Sequence, residues 1–276
     1  MKYAGKAVVF MSYADYHLHS EFSCDSHEQI EFICEKAISE GMEEICITDH
    51  CEFPLQDKYP WPDFNLRESV LNEFREKYRE RLMILSGVEL GQAWNEAERL
   101  HALLEENDFD FCLGSVHALD GVNDMSHMGI CEENYKEYFE EYIRQMEITV
   151  KTTDFDVMGH ITYFFKPFDA EFIAKNPPES FKKDYMELLD LISSNGKGIE
   201  INCSGLRMPG LQNTMPSEEI VRWFRHCGGK IVTVGSDGHS RYSACRNIRE
   251  GYAVLKKAGF EKAARFRKRE PFFVEI

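Results

Sequence analysis

The chain has 276 residues, enough to bury a substantial hydrophobic core without disulfide or metal staples. Its 48 acidic residues against 32 Lys and Arg give a formal net charge of -16, which disfavours a basic surface for extended nucleic acid. No apolar run approaches the roughly 20 residues of a membrane span, and nine scattered cysteines without a CxxC pair predict free thiols in a reducing cytoplasm.

The amino terminus carries only a short apolar run, Ala7 to Met11, before a polar stretch that begins at Asp15. Such a run is too short for a secretory signal, so we predict no export. No stretch is rich enough in Gly, Ser or Pro to be a linker, and no repeat is found, so we predict one domain over residues 1–276. Residues 1–12 are predicted to be a loosely attached extension.

Seven β-rich runs alternate with longer segments whose apolar residues follow a helical period. In chain order the predicted strands are Tyr13–His17, Glu44–Thr48, Met83–Glu89, Phe109–His117, Phe155–His160, Lys197–Asn202 and Lys230–Asp237. The predicted helices are Ser26–Ser39, Leu66–Arg81, Glu132–Lys151, Pro178–Ser194 and Ser217–His226. This alternation is typical of parallel strands joined by crossover helices, and seven units favour an α/β fold closed or nearly closed into a (β/α) barrel. The last run, Pro271–Ile276, predicts an additional strand.

Chemically active side chains follow the ends of these predicted strands. Six of the ten histidines fall there, together with carboxylates. A single strand-end histidine is more often a packing residue than a ligand, but residues i and i+2 of an extended segment face the same way, as in His17 and His19. The carboxyl ends of barrel strands converge on one face. We therefore expect one metal site there, built from His17, His19, His50, Glu89, His117, His160, Asp237 and His239.

Short motifs carry these residues in a fixed order: Asp15-Tyr16-His17-Leu18-His19-Ser20, Ser23-Cys24-Asp25, Ile47-Thr48-Asp49-His50, Gly87-Val88-Glu89, Ser115-Val116-His117, Gly159-His160 and Ser236-Asp237-Gly238-His239. As a set they resemble the PHP family, the polymerase and histidinol phosphatase superfamily. The resemblance spans Asp15 to about His239. It implies a distorted (β/α)7 barrel with a trinuclear metal site at the carboxyl ends of the strands, which agrees with the strand pattern.

The resemblance also implies nine ligands for three divalent ions. The first ion takes His17, His19, Glu89 and Asp237; the second takes Glu89 as a bridge, His117 and His160; the third takes Asp25, His50 and His239. Some family members carry histidine where this chain has Asp25, so zinc, manganese and iron all stay open as the metal. Two alternatives also stay open here: His27 as the ligand, and Asp25 as a cap of the helix that follows Ser26.

Such a centre is suited to a phosphate dianion, because three divalent ions bring six positive charges against three ligand carboxylates. The ions can lower the pKa of a bridging water and place the resulting hydroxide in line with phosphorus, so no covalent phosphoenzyme is required. Glu89, Asp237 and Arg207 are the predicted catalytic residues. Arg207 follows the sixth strand and can grip phosphate with two N–H groups, with a surface salt bridge as the alternative.

Two further substrate contacts are predicted. Lys166 lies six residues after His160, near where the family often carries arginine. Trp61 belongs to an aromatic, proline-rich loop over Phe53–Asn65 that either walls the pocket or packs at the surface.

The remaining cysteines and histidines near these motifs are predicted to be structural. Nothing in the spacing around Cys24, Cys51 and Cys203 indicates a nucleophile with a paired base and a lowered pKa, so all three are predicted to pack as small side chains. The remaining histidines fall in or beside helical segments and are predicted to lie at the surface or at helix ends: His101, His127 and His226.

A stand-alone chain of this length resembles the family's histidinol-phosphate phosphatases, which implies hydrolysis of L-histidinol phosphate to L-histidinol and phosphate in histidine biosynthesis. The motifs indicate a phosphomonoester hydrolase and do not identify the alcohol. A PHP phosphoesterase acting on nucleotides or nucleic-acid 3′ ends is the alternative, with the acidic charge counting against long polymers. A degenerate module that serves as a structural or metal-storage element is disfavoured, because all nine ligand positions are intact. The expected partner is a small phosphorylated substrate, with no membrane and the oligomeric state open.

Overall fold

The computed structural model describes residues 12–55, 57–119 and 123–276. Of the predicted amino-terminal extension only Ser12 lies within the described residues, and the single-domain organisation stays a prediction. The described strands are β1 (Tyr13–Leu18), β2 (Met42–Ile47), β3 (His50–Glu52), β4 (Met83–Gly91), β5 (Phe111–Ser115), β6 (Val157–Met158), β7 (Gly198–Asn202), β8 (Val232–Gly235), β9 (Lys262–Arg267) and β10 (Glu270–Glu275). Each of the seven predicted runs overlaps one strand, whereas β3 and β9 have no predicted counterpart.

The barrel strands lie in the order β1-β2-β4-β5-β6-β7-β8, with parallel neighbours, and the short β3 pairs with β4. The sheet returns to its start where Leu18 forms a bridge with Gly238. The buried Asp15 carboxylate reinforces this seam, because it accepts a hydrogen bond from the amide of Ser236 at 2.8 Å. The prediction of a distorted (β/α) barrel of seven strands is confirmed.

Helices join successive strands: α1 (Ile30–Glu40), α2 (Phe64–Tyr78), α3 (Ala97–Glu106), α4 (Tyr135–Thr152), α5 (Ala170–Lys175), α6 (Lys182–Ser194), α7 (Glu218–His226) and α8 (Ile248–Lys257). The five predicted helices correspond to α1, α2, α4, α6 and α7. Helix α7 begins directly after Ser217, and Glu218 and Glu219 in its first turn face the positive end of the helix dipole. No helix in the described part of the chain is long and apolar enough to span a bilayer.

The carboxyl terminus closes the amino-terminal end of the barrel. Strands β9 and β10 form a separate antiparallel hairpin, so the predicted final strand exists but lies outside the barrel sheet. Phe266 of β9 packs 4.9 Å from the ring of Phe111, and its amide donates to the Tyr16 hydroxyl at 2.8 Å. The small apolar cluster that fills this end comprises Ala14, Tyr16, Cys46, Leu85, Phe111, Leu113, Val157, Ala264 and Phe266. The opposite end, where the strands finish, is left for polar side chains.

Arg67 of α2 is buried and holds that helix against the barrel. Its guanidinium donates to Ser86 Oγ at 2.8 Å and to the Gly87 carbonyl at 2.9 Å, and it lies 3.3 Å from the buried Asp49 carboxylate. Asp49 follows β2 and accepts a hydrogen bond from the amide of Ser20 at 2.6 Å. One side chain therefore joins α2, β4 and the loop after β2.

We expect Arg67→Met to lower the free energy of unfolding by about 3–5 kcal/mol, because it leaves the buried Asp49 carboxylate without its cationic partner. Urea unfolding measures this. The control is Arg79→Met at the exposed end of the same helix, where the pair with Glu76 is solvated and its loss should cost less than about 1 kcal/mol. Equal stability of the two variants would contradict this role of Arg67.

Candidate metal centre

Nine side chains meet at the carboxyl ends of the barrel strands. They are the nine predicted ligands, and they form overlapping groups whose donor atoms lie within 4.8 Å of one another. They come from β1 and the loop after it (His17, His19, Asp25), from β3 and β4 (His50, Glu89), from the loops after β5 and β6 (His117, His160) and from the loop after β8 (Asp237, His239).

Glu89 lies at the middle of this cluster and is fully buried. Its Oε2 lies 3.0 Å from His17 Nε2 and 3.4 Å from His19 Nε2. Its Oε1 lies 2.9 Å from His160 Nε2 and 3.2 Å from His117 Nε2. Oε2 also lies 3.3 Å from His50 Nδ1, so the two oxygens of one carboxylate face two different sets of imidazoles.

Asp25, His50 and His239 form a more exposed group beside Glu89. The Asp25 Oδ2 lies 2.9 Å from His239 Nε2 and 3.4 Å from His50 Nε2. Partial burial opposes ionisation, but the hydrogen bonds from these imidazoles hold the pKa of Asp25 well below its usual value. Helix α1 begins at Ile30 with Gln29 as its cap, so Asp25 does not cap it. His27 is exposed and belongs to none of the described clusters.

The backbone at the centre is strained at two of these positions. His160 has φ = +20° and Asp237 has φ = +52°, a conformation that residues other than glycine rarely adopt. Asp237 is held in place by its side chain, which accepts hydrogen bonds from Ser204 Oγ at 3.1 Å and Asn202 Nδ2 at 3.3 Å. Strain of this kind persists where surrounding contacts fix the residue, and it is common at functional sites.

Two buried carboxylates lie behind the imidazoles and are absent from the sequence prediction. Glu52 Oε1 lies 2.8 Å from His117 Nδ1 and 3.0 Å from His50 Nδ1. Glu200 Oε1 lies 2.7 Å from His17 Nδ1. The position of Glu52, two residues after His50 in an extended segment, is the one sequence signal that could have indicated it. Glu200 lies on β7, the strand that the motifs leave without a ligand.

The carboxylates make the centre strongly favourable for positive charge. Burial alone would lower the pKa of His17, but the carboxylates of Glu200 and Glu89 hold this pKa well above its usual value. Burial also lowers the pKa of His117, but the carboxylates of Glu52 and Glu89 outweigh it and raise this pKa to about 10. The pKa of His19, by contrast, is held well below its usual value by burial and by the neighbouring imidazoles.

The donor set fits divalent metal ions. The Nε2 atoms of His17 and His19 approach to 3.1 Å, and those of His117 and His160 to 3.3 Å, so the imidazoles point at common positions between them. Carboxylates behind Nδ1 leave Nε2 as the ligand atom, the usual arrangement around a metal-bound histidine. Imidazole nitrogen and carboxylate oxygen together suit zinc, manganese and iron.

A cavity of about 290 Å³ opens over the cluster. Lys166, predicted as a substrate contact, lines it, and its Nζ donates to the Tyr163 hydroxyl at 2.8 Å. The Tyr163 hydroxyl in turn donates to Asp124 at 2.8 Å. His127, predicted as a plain surface residue, is exposed but also lines the cavity. The residues around the cavity that are not predicted ligands include Glu52, Leu55, Tyr59, Ala118, Asp124, His127, Tyr163 and Lys166.

Trp61 and Arg207 are not among the described residues that line this cavity. The Trp61 ring packs on Phe53 at 4.5 Å, and its Nε1 donates to the carbonyl of Glu52 at 3.2 Å. Arg207 Nη2 donates to the carbonyl of Ser236 at 2.7 Å. Trp61 therefore supports the loop that follows β3, and Arg207 supports the loop that carries Asp237. A contact between either residue and a substrate stays a prediction.

The cysteines near the centre are not placed as nucleophiles. Partial burial raises the pKa of Cys24 to about 11, and full burial holds the thiol pKa values of Cys51 and Cys203 well above the usual range. A nucleophilic cysteine requires a lowered pKa.

Comparison with known proteins gives concordant matches. The sequence model of the PHP domain matches residues 15–204. A histidinol-phosphatase of Lactococcus lactis is 28% identical over 93% of this chain and 95% of its own, and a probable histidinol-phosphatase of Thermotoga maritima is 30% identical over 91% and 94%. Among solved structures, the histidinol phosphate phosphatase of Lactococcus lactis superposes on this chain with a TM-score of 0.81 at 24% identity. The superposition covers 95% of this chain and 99% of the other, which was solved in complex with zinc, L-histidinol and phosphate.

Gly235, at the end of β8, lets two of the buried side chains approach each other. A Cβ at this position would lie 2.3 Å from Glu200 Oε1 and 2.5 Å from His17 Cβ. We expect Gly235→Ala to lower the free energy of unfolding by about 1–3 kcal/mol through overpacking, measured by urea titration. Gly159→Ala is the matched control, because the nearest atom to its added Cβ is 3.6 Å away. If both variants are as stable as the parent chain, the contact between Gly235, His17 and Glu200 is not tight.

Proposed function

The chain belongs to the PHP domain family, and on this premise we propose that it is a metal-dependent phosphomonoesterase that hydrolyses L-histidinol phosphate to L-histidinol and phosphate. The single observation that carries the proposal is the cluster of six imidazoles and three carboxylates around Glu89. Relatives named as histidinol-phosphatases, matched along nearly their whole length, support the choice of substrate.

We propose that this cluster holds three divalent ions, with zinc as the first choice because the Lactococcus lactis structure contains it. The first ion is assigned to His17, His19, Glu89 and Asp237; the second to Glu89, His117 and His160; the third to Asp25, His50 and His239. When bound, such ions supply an activated water at neutral pH and neutralise charge on phosphate.

The protein's own contribution is to fix the ligands before substrate arrives. Glu89 fixes the spacing between two ligand pairs, since its two oxygens face opposite sets of imidazoles. Glu200 and Glu52 fix ring orientation from behind. Asp237 is oriented by Ser204 and Asn202. Rigid placement of this kind removes the cost of ordering the ligands during the reaction.

The two additional carboxylates change the charge balance of the centre. Three divalent ions bring six positive charges, and five carboxylates surround them: Asp25, Glu52, Glu89, Glu200 and Asp237. The net positive charge of the centre is therefore smaller than a count of the ligand carboxylates alone suggests. A phosphate dianion would bind more tightly if a further cation lay beside it. Lys166 supplies one, because its exposed ammonium lines the cavity. We assign the phosphate contact to Lys166.

The wall of the cavity is chemically suited to the alcohol part of the proposed substrate. Histidinol carries an ammonium group and an imidazole, and the cavity offers the Asp124 carboxylate and the ring of Tyr59. A carboxylate pairs with ammonium, and aromatic faces attract cations. We also propose a cytoplasmic location, since all nine cysteines are free thiols.

We expect the metal-replete protein to contain about three zinc or related ions per chain. We also expect its kcat/KM for histidinol phosphate to exceed that for nucleoside monophosphates or sugar phosphates by at least about a hundredfold. A hundredfold preference corresponds to about 2.7 kcal/mol in the transition state, which one or two charged contacts to the alcohol can supply. Elemental analysis and phosphate release measure both quantities. Full activity in a metal-free chain would rule out the proposed chemistry.

For Lys166→Met we expect unchanged metal content and a drop of about tenfold or more in kcat/KM, since a charge-assisted hydrogen bond contributes roughly 1.5–3 kcal/mol. Lys175→Met is the control, because Lys175 is an exposed lysine of α5 paired with Glu171. Parent-like kinetics in Lys166→Met would remove Lys166 from the phosphate site.

Arg207→Ala tests the sequence prediction for that residue in the same assay. Because the guanidinium binds backbone carbonyls around Asp237, we expect a lower thermal midpoint to accompany any loss of activity. A loss of kcat/KM of tenfold or more at unchanged stability and metal content would instead assign Arg207 to the phosphate.

A further inference from the structure

We propose that Glu52 is a positioning residue that clamps two imidazoles from two different ion sites, so that the second and third ions bind together. The inference rests on the proposed function for the assignment of His117 to the second ion and His50 to the third. Glu52 is itself outside both ligand sets. Glu52 is 6% exposed, and its carboxylate lies beside both rings.

One oxygen of Glu52 serves both rings. Oε1 lies 2.8 Å from His117 Nδ1 and 3.0 Å from His50 Nδ1. The opposite nitrogen of each ring then faces its own group: His117 Nε2 lies 3.2 Å from Glu89, and His50 Nε2 lies 3.4 Å from Asp25. A shift of this one oxygen would therefore turn both rings at once.

The second oxygen of Glu52 is also held. Oε2 accepts a hydrogen bond from Gln92 Nε2 at 2.8 Å, and Gln92 Oε1 accepts one from the amide of His117 at 2.6 Å. Gln92 is fully buried and has φ = +53°, so the backbone is strained where it places this amide. The carboxylate also packs against Gly91, where a Cβ would lie 2.2 Å from Oε2. These contacts leave the carboxylate one position.

The short strand β3 is what brings the clamp into place. It consists of His50, Cys51 and Glu52, and it pairs with β4 so that His50 lies opposite Glu89 and Glu52 opposite Gly91. Residues i and i+2 of a strand face the same side, so the third-ion ligand and the clamp project together. Glu200 differs, because in the part of the chain that the structure describes its imidazole partner is His17 of the first ion site.

Glutamine cannot replace Glu52 in this network. The Glu52 carboxylate accepts from the His117 imidazole on Oε1, which also faces His50 Nδ1 at 3.0 Å, and from the Gln92 amide on Oε2. The amide of glutamine has one accepting oxygen, so its NH2 group must face either Gln92 Nε2 or the imidazole donors. Each orientation places two donors against each other. Loss of an outer carboxylate partner typically weakens metal binding 10- to 100-fold.

The test is a chelator titration of the zinc-loaded protein, followed by elemental analysis of the ions that remain. For Glu52→Gln we expect two ions per chain to leave in a single step, at a chelator concentration 10- to 100-fold lower than in the parent chain, with one ion retained. The control is Glu105→Gln, which removes a carboxylate from an exposed pair with His101 on α3 and should leave the titration unchanged. Loss of one ion only, or an unchanged titration, would overturn the proposal.

A paired exchange keeps the test decisive if the single variant folds poorly. In Glu52→Gln with Gln92→Glu, the new amide donates to the new carboxylate, and its oxygen still accepts from His117 and faces His50, so the recorded hydrogen bonds are restored at the same net charge. We expect this double variant to recover most of the resistance to chelator. A double variant as weak as the single one would show that Glu52 does not act by positioning.

The titration separates this inference from the proposed function. If the parent chain binds no zinc and hydrolyses no histidinol phosphate, the proposed function fails. If the parent chain binds three ions and the Glu52→Gln variant releases them as the parent does, only the clamp is wrong.

Discussion

The buried Glu89 carboxylate is the constraint on which the rest of the site depends. Five imidazoles lie within 3.4 Å of its oxygens: His17, His19, His50, His117 and His160. A carboxylate buried this deeply is costly unless positive charge surrounds it, and neutral imidazoles that face one another leave donors or acceptors unmatched. Divalent ions between these groups would satisfy both requirements. The cluster is therefore suited to divalent metal ions on chemical grounds, in agreement with the proposal drawn from the family.

The barrel is what allows such a cluster to form from distant parts of the chain. His19 and His239 follow the first and last barrel strands, and their rings stack at 4.0 Å because the sheet closes at the bridge between Leu18 and Gly238. The buried carboxylate of Asp15 holds this seam. The hairpin that carries Phe266 fills the opposite end with apolar side chains, so closure does not require polar groups there. The carboxyl ends of the strands are then free to carry the candidate metal ligands.

Much of this arrangement could be predicted from the sequence because parallel strands have a strong signature. β-rich runs that end in histidine or a carboxylate predict both the barrel and the face where the residues gather, as His17, Glu89 and His117 illustrate. Glu52 and Glu200 escaped prediction because a glutamate in a strand looks the same in sequence whether it is buried or exposed. Their role depends on which ring lies behind them, and that is a property of the tertiary fold.

Other differences between the sequence predictions and the structure also have local causes. Strand β3 is three residues long, too short for a periodic pattern, yet it places both a predicted ligand and the Glu52 carboxylate. Trp61 is aromatic and near a motif, but its ring finds Phe53 as a packing partner away from the cavity. The cavity wall includes Asp124, whose side chain is reached from the Tyr163 hydroxyl, a contact across 39 residues that no short motif encodes. The wall of the cavity therefore depends on loops whose positions follow from packing.

Anomalous diffraction at the zinc edge from crystals of the zinc-loaded protein tests the central claim most directly. The account predicts ion peaks on both sides of the Glu89 carboxylate, each within bonding distance of one oxygen, and a third beside Asp25. The absence of any peak next to Glu89 in fully loaded, active protein would contradict it.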